Sequence, residues 1–319
     1  MRGRGMVRGH ASQNLGVGQL LSLFFERLLG RARDMMRAIG LGRRMTRGEI
    51  FRAGNIGAEP SADYQRALFV LDNVVRECIT VSRQYGGLQA PTQKHFYASV
   101  LFTALLSRSI SLLMLAPHSP WAHKMIEHWD YASAAVILRT MMELRAAYHY
   151  LCVDECTDEE WDCRWNLLNL HDCNSRIRLF EAGEHFGLGE VVGLQAQVEE
   201  IRNRLMANAH FQTLRHKARL LNGQTAYLYP IEEMMEKAGL ERPNYRFLNI
   251  LFSSHIHGLP MSYYRMAMQE RGRGLPSPVE EGYTTICLSL ASALLTASRD
   301  EAHELFRGLP RAQPPAPGA

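Results

Sequence analysis

Asp130–Tyr–Ala–Ser–Ala–Ala–Val–Ile–Leu–Arg139–Thr–Met–Met–Glu143–Leu–Arg–Ala–Ala–Tyr148–His–Tyr–Leu151 is the stretch on which the fold of this 319-residue chain turns. Wound at 3.6 residues per turn, it is apolar nearly all round. Ala132, Val136, Met142, Ala146 and Tyr150 fall on one side, and Ala134, Ile137, Met141, Leu144 and Tyr148 on the other. A helix apolar on both sides is the central one of its fold, packed by neighbours all round. Arg139 and Glu143 interrupt the first face one turn apart, spaced to pair with each other. Taking such charges out of water is costly unless they are paired and hydrogen-bonded. The stretch therefore marks the core and a polar spot inside it.

Working outward, the chain on either side reads as more helices. Ser61 is placed to cap a helix through Gln84 that Gly86–Gly87 stops, with Leu68, Leu71, Val75, Cys78 and Ile79 inward. Thr92 caps the next, which runs to Leu115 and is closed by Pro117; Ser119–Pro120 opens a short helix leading into the central one. Thr157–Asp–Glu–Glu160 is a capping box for a helix carrying Trp161, Trp165, Leu168 and Ile177 and ending around Gly183. In the helix over 190–210, Val191, Leu194, Val198, Ile201 and Leu205 recur at three-four spacing. Such a seam suits antiparallel packing on a neighbouring helix, or a protein partner or second copy of the chain.

Asn222–Gly223 is a turn, Pro230 opens a short helix over Ile231–Ala238, and Gly239 ends it. Pro243 or Asn244 begins a helix over Tyr245–His257, terminated by Gly258 and Pro260. After a Gly- and Pro-bearing loop at Arg271–Pro278, the last helix is expected over Gly282–Phe306. Its uncharged part, Gly282–Ser298, is short for a membrane span and carries several Ser and Thr, so it reads as a core helix. No stretch shows the period-two alternation of a strand. The expected fold is all-α: one multi-helix, bundle-like domain over residues 61–308, with a buried central helix at about 130–152.

The ends differ from this body. Residues 1–58 carry eleven Arg against Glu26, Asp34 and Glu49, while the whole chain has a net charge of +4, so the rest is slightly acidic. That balance lacks the basic face of a nucleic-acid binder. Residues 1–60 read as a basic, partly disordered extension containing an amphipathic helix at 19–39. Leu20, Leu21, Phe24, Phe25, Leu28, Met35, Met36 and Ile39 share its apolar face. Such a helix suits an anionic membrane surface, a partner, or packing on its own domain. Residues 309–319 read as a disordered tail. Six cysteines without a secreted-domain framework, and no signal sequence at the start, point to a reducing cytoplasm.

The sequence lacks G-x-x-x-x-G-K-[ST], H-E-x-x-H, G-x-S-x-G and paired C-x-x-C motifs, and the E-x-x-H pairs of a di-iron bundle. Cys152, Cys156, Cys163 and Cys173, with His149 and His171, offer zinc-type ligands. Their spacings are irregular and fall in and just before helices, so neither a metal nor a cofactor is expected. Metal-independent RNases of the HEPN type carry Arg and His on one helix with four to six residues between them. Arg204–His210 matches, and so do Arg4–His10, Arg164–His171 and Arg178–His185. In a chain so rich in Arg, chance supplies as many matches as are seen.

A better candidate joins two helices. Asn249, Ser253 and His257 recur every fourth residue and form an uncharged polar stripe beside Phe247, Leu248, Ile250 and Leu251. Facing Arg139 and Glu143, it would gather a guanidinium, a carboxylate, a hydroxyl and an imidazole in one interior. Such a group suits acid–base chemistry, a small polar ligand, or a purely structural network. The R-x-x-x-E of "ILRTMMELRAAYHYL" and the S-x-x-x-H of "NILFSSHIHG" resemble the bacterial all-helical "domain of unknown function" family 5677, over roughly residues 65–300. The resemblance implies an all-helical fold and site positions at Arg139, Glu143, Ser253 and His257, but no reaction. The expected function is a binding or interaction module, in a stress or phage-defence setting. The alternative is a metal-independent RNase or other hydrolase using His257 or His210 and an Arg, and only then a nucleic-acid partner.

Overall fold

The computed structural model describes residues 59–183, 192–263, 272 and 274–310. The amphipathic helix expected at 19–39, with its membrane or partner contact, and the tail from 311 lie outside these residues. Among the described residues no β-strand forms, and the fold is all-α. One isolated bridge joins Trp129 to Gly274.

Local chemistry sets most helix ends. In α1 (Ala62–Tyr85) the Ser61 hydroxyl accepts the Tyr64 N–H, and in α2 (Gln93–Leu115) Thr92 accepts that of His95. Thr157 accepts the Glu160 N–H at 3.2 Å to start α4 (Asp158–Ala182). Several boundaries differ from expectation, among them the start of the helix expected over Tyr245–His257, which begins at Arg242 with Pro243 in its first turn. No helix forms around Ser119–Pro120, because Pro117, Pro120 and His118, at φ 57°, break the helical path. The last helix, α11 (Pro278–Phe306), begins four residues early, where Ser277 caps Glu280 and Pro278 needs no N–H partner. The helix expected over 190–210 is two helices, α5 (Val192–Ala207) and α6 (Ala209–Thr213). Asn208 separates them, its side chain capping the Phe211 N–H at 2.9 Å.

The central helix, α3 (Tyr131–Tyr148), passes without interruption into a π-helical turn, His149–Val153. It is buried on most sides, including Ala134, Ala135, Leu138, Met141, Met142, Ala146 and Tyr148. Helices α2, α8 (Ile231–Lys237), α9 (Arg242–Ile256) and α11 surround it, α1 packs on α2 and α11, and two short helices, α7 (Lys217–Leu221) and α10 (Pro260–Tyr263), precede α8 and follow α9. Cys287, Leu288, Leu290, Ala291, Leu294 and Leu295 place the uncharged part of α11 in this core. By length and composition α2 is the one described helix able to cross a membrane; 39% of its apolar window is buried.

Carboxylates fasten the start of α3. Asp130 accepts the Ser133 N–H, and the buried Glu280 of α11 accepts those of Tyr131 at 3.1 Å and Gly272 at 3.2 Å. Negative charge at a helix N-terminus is favourable there. Gly274, at φ 72°, passes so close to His128 that a Cβ would lie 2.7 Å from the ring.

A second core joins Cys163, Leu167, Leu170 and Cys173 of α4 to Leu194, Val198, Ile201 and Leu205 of α5 and Phe211 of α6. The three-four seam is therefore spent inside the chain. The two helices run antiparallel, with Cys173 meeting Gln197 and Asn208 donating to the Glu159 carbonyl.

Arg145 of α3, in the first core, and Arg164 of α4, at the joint between the two cores, are each 1% exposed. Arg145 forms a two-pronged pair with Glu301 of α11, Nη2 donating to Oε1 at 2.6 Å and Nη1 to Oε2. Arg164 donates to Asp154 at 2.8 Å, to Glu160 at 2.6 Å and to the Tyr150 carbonyl at 2.6 Å. Trp161 Nε1 donates to the Leu151 carbonyl at 2.9 Å. Side chains of α4 thus satisfy carbonyls of the π-helical turn.

Removing one partner from such a buried pair costs about 3–5 kcal/mol, whereas replacing both is often neutral. Arg145→Leu is expected to lose stability on that scale in urea unfolding, and Arg145→Leu/Glu301→Leu to regain most of it. Burial, with Arg145 close by, drops the His149 imidazole from its usual 6.5 to about 4. The folded state therefore holds this imidazole neutral. The stability it contributes is whole above about pH 6.5 and is lost as the pH falls from there towards 4, on the order of 2–3 kcal/mol. His149→Gln should flatten that acid limb in unfolding curves measured across pH; superimposable limbs would contradict it.

Candidate functional site

Helices α3 and α9 run past each other in opposite senses, and a line of polar contacts follows their seam. At one end the Tyr131 hydroxyl lies 2.8 Å from His255 Nε2, with the two rings edge-on at 4.9 Å. Two turns further along α3, Arg139 Nε donates to the Ser253 hydroxyl at 3.2 Å. Arg139 Nη1 also lies 2.7 Å from Glu143 Oε1. The structure thus brings Arg139, Glu143 and Ser253 together. The pair sits at the edge of the core rather than within it, since the Arg139 side chain is 13% exposed and that of Glu143 is 48% exposed.

His257 is not drawn in. Helix α9 ends at Ile256, and His257 is its exposed C-cap, its backbone N–H donating to the Ser253 carbonyl at 3.1 Å. Every step of four residues overshoots a full turn by about 40°. A stripe that starts at Tyr245 and Asn249 has therefore swung away from α3 by position 257. His255 is the imidazole at this interface, and the four-residue spacing gave no sign of it.

Tyr245 joins the seam from below. It is buried, and burial pushes its hydroxyl above the usual range; Arg139 draws it down, while Glu143 and Glu232 push it further up. Its chain neighbour Arg246 pairs with Glu232 at 2.8 Å. Tyr227 faces the same region: burial raises its hydroxyl and Glu143 adds to the rise.

Buried polar atoms are normally hydrogen-bonded. Along the seam Asn249 Oδ1 is buried without a hydrogen-bond partner, as Arg145 Nε is further along α3, whereas the buried Arg139 Nη1 and Glu232 Oε1 are each held in an ion pair, with Glu143 at 2.7 Å and Arg246 at 2.8 Å. The seam thus leaves one buried acceptor, Asn249 Oδ1, without a hydrogen bond.

The other sequence candidates come apart. Arg204 pairs with Glu200 on the exposed face of α5, and the break at Asn208 puts His210 on a different helix. The single-helix geometry on which the Arg204–His210 reading depended is therefore absent. Cys152 belongs to the first core and Cys163 and Cys173 to the second. His171 Nδ1 is 3.0 Å from the Gly223 carbonyl. Among the described residues no three His, Cys, Asp or Glu side chains are grouped to hold a metal ion.

A family model described as a family of unknown function, DUF5677, matches residues 95–274, more than half of the chain and both sides of the seam. No curated protein and no solved structure matches.

Proposed function

The chain belongs to the family of unknown function DUF5677, and we propose that it is a binding module whose α3–α9 seam takes a small polar ligand. The observation that carries this reading is the cluster of Arg139, Glu143 and Ser253 at the edge of the core, with Asn249 Oδ1 one turn away on α9 and buried without a hydrogen-bond partner. Glu143, 48% exposed and 2.7 Å from Arg139 Nη1, is the member of the cluster that a ligand can reach from solvent. A hydrolytic role would need an imidazole beside an arginine. His257 points to solvent, and a helix break separates His210 from Arg204, so the binding reading is the better supported.

The test is Arg139→Met/Glu143→Met. Replacing a charged pair with apolar residues of similar size is often neutral or stabilising, by ~1–4 kcal/mol. The double variant is expected to melt at or above the parent temperature. It should also lose the melting shifts that millimolar amino acids, nucleotides, sugar phosphates or dicarboxylates give the parent. A variant that melts many degrees lower would make the pair structural and end this reading.

A further inference from the structure

A groove lies where the described chain begins, and the α3–α9 seam has no part in it. This cavity of about 300 Å³ opens beside the first turns of α1, with Glu59, Pro60, Leu68, Phe69, Asp72 and His118 in its lining. Trp121 Nε1 donates to Asp72 at 2.6 Å, and the Glu127 carboxylate accepts the His118 N–H at 2.7 Å. Both ends of the stretch 121–127 are thus fastened beside the groove. Apolar side chains nevertheless stand in water around it. Phe69 is 64% exposed, and Met125 and Ile126, within the fastened stretch, are 98% and 76% exposed. One exposed apolar residue needs no explanation, but three around one groove form a patch that calls for a cover.

The charge around the groove is negative. Glu59 and Asp72 line it, Glu127 is bound to His118, and Glu281 accepts the Ser61 N–H at 3.2 Å. Arg76, 2.9 Å from Asp72, and Lys124, 3.9 Å from Glu127, offset only two of these carboxylates. The preceding chain has the opposite charge, with eleven Arg against Glu26, Asp34 and Glu49 in residues 1–58. It also arrives at the groove itself, since Glu59 and Pro60 are part of the lining. Residues 40–58 can span about 60 Å when extended, twice the roughly 30 Å length of a helix over 19–39, so that helix can fold back.

We propose that the amphipathic segment 19–39 docks as a helix on this groove of its own chain. Its apolar face, with Leu20, Phe24, Phe25 and Leu28, covers Phe69, Met125 and Ile126, and its arginines meet the carboxylates of the rim. Burial of apolar area supplies the attraction, and the exposed charge pairs set the orientation more than the strength. Because the two partners are joined, even a weak contact is well populated.

The test is hydrogen exchange read by mass spectrometry on the full chain, with light scattering to fix its mass. In the monomer, amides of 19–39 are expected to exchange on the order of tenfold or more slowly than an unstructured chain. Phe24→Asp/Phe25→Asp in the segment and Phe69→Arg on the exposed side of α1 should each return 19–39 to unstructured rates. Each should also speed exchange in 118–127 and leave the melting temperature within a few degrees. A segment 19–39 that is unprotected in the parent overturns the proposal. Protection that survives Phe69→Arg also overturns it, since the helix then sits elsewhere. Protection confined to dimers would make a second copy the occupant, and protection gained only on phosphatidylserine–phosphatidylcholine vesicles would make it a membrane; either result overturns docking within the chain.

Discussion

Helix α3 has to lie in the core on most of its sides while carrying two guanidinium groups, Arg139 and Arg145, and the rest of the structure accommodates that demand. A guanidinium cannot shed its proton, so each must be given oxygen atoms. Arg145 receives a two-pronged carboxylate from α11, which fixes the rotation of α11 against α3 at the centre of the larger core. Arg139 receives only a serine hydroxyl with good alignment, and a carboxylate that touches it without an aligned hydrogen bond. Within two turns of one helix, one arginine is locked by a two-pronged carboxylate in the interior and the other by a hydroxyl and an ion pair nearer the surface.

The second lobe hangs on a third arginine. Arg164 reaches from α4 to Asp154, Glu160 and the Tyr150 carbonyl, with its guanidinium 4.4 Å from the centre of the Tyr150 ring. The π-helical turn His149–Val153 turns carbonyls toward α4, and Arg164 and Trp161 fill them. Lys237 of α8 adds a contact to Asp154 at 3.1 Å. The joint between the two cores is thus polar and fully engaged, unlike the seam between α3 and α9.

Much of the architecture was legible because it depends on local rules. The caps at Ser61, Thr92 and Thr157, the all-round apolar pattern of α3 and the three-four seam of α5 each have a short-range cause, and each stands in the structure. The break at Asn208 was legible too, since asparagine followed by a fresh helical turn is a capping signal, but the continuous apolar spacing masked it. Long-range pairings were not legible. Arg145 looked like one more residue of an apolar helix because Glu301 is 156 positions away. Tyr131 and His255 meet across 124 positions for the same reason. At the site, four-residue spacing located Asn249 and Ser253 and misplaced His257, because α9 ends one residue before it and its stripe drifts with every turn.

The most direct measurement is an NMR titration that follows the guanidinium N–H resonances of arginine side chains while amino acids, nucleotides, sugar phosphates or dicarboxylates are added to the full chain. Arg145 serves as the internal control, since its two Nη atoms are already engaged with Glu301 in the interior. The account predicts that the Arg139 N–H signals shift and exchange more slowly with solvent as ligand binds, while those of Arg145 stay in place. Arg139 signals that do not move, alongside binding detected elsewhere on the chain, would contradict it.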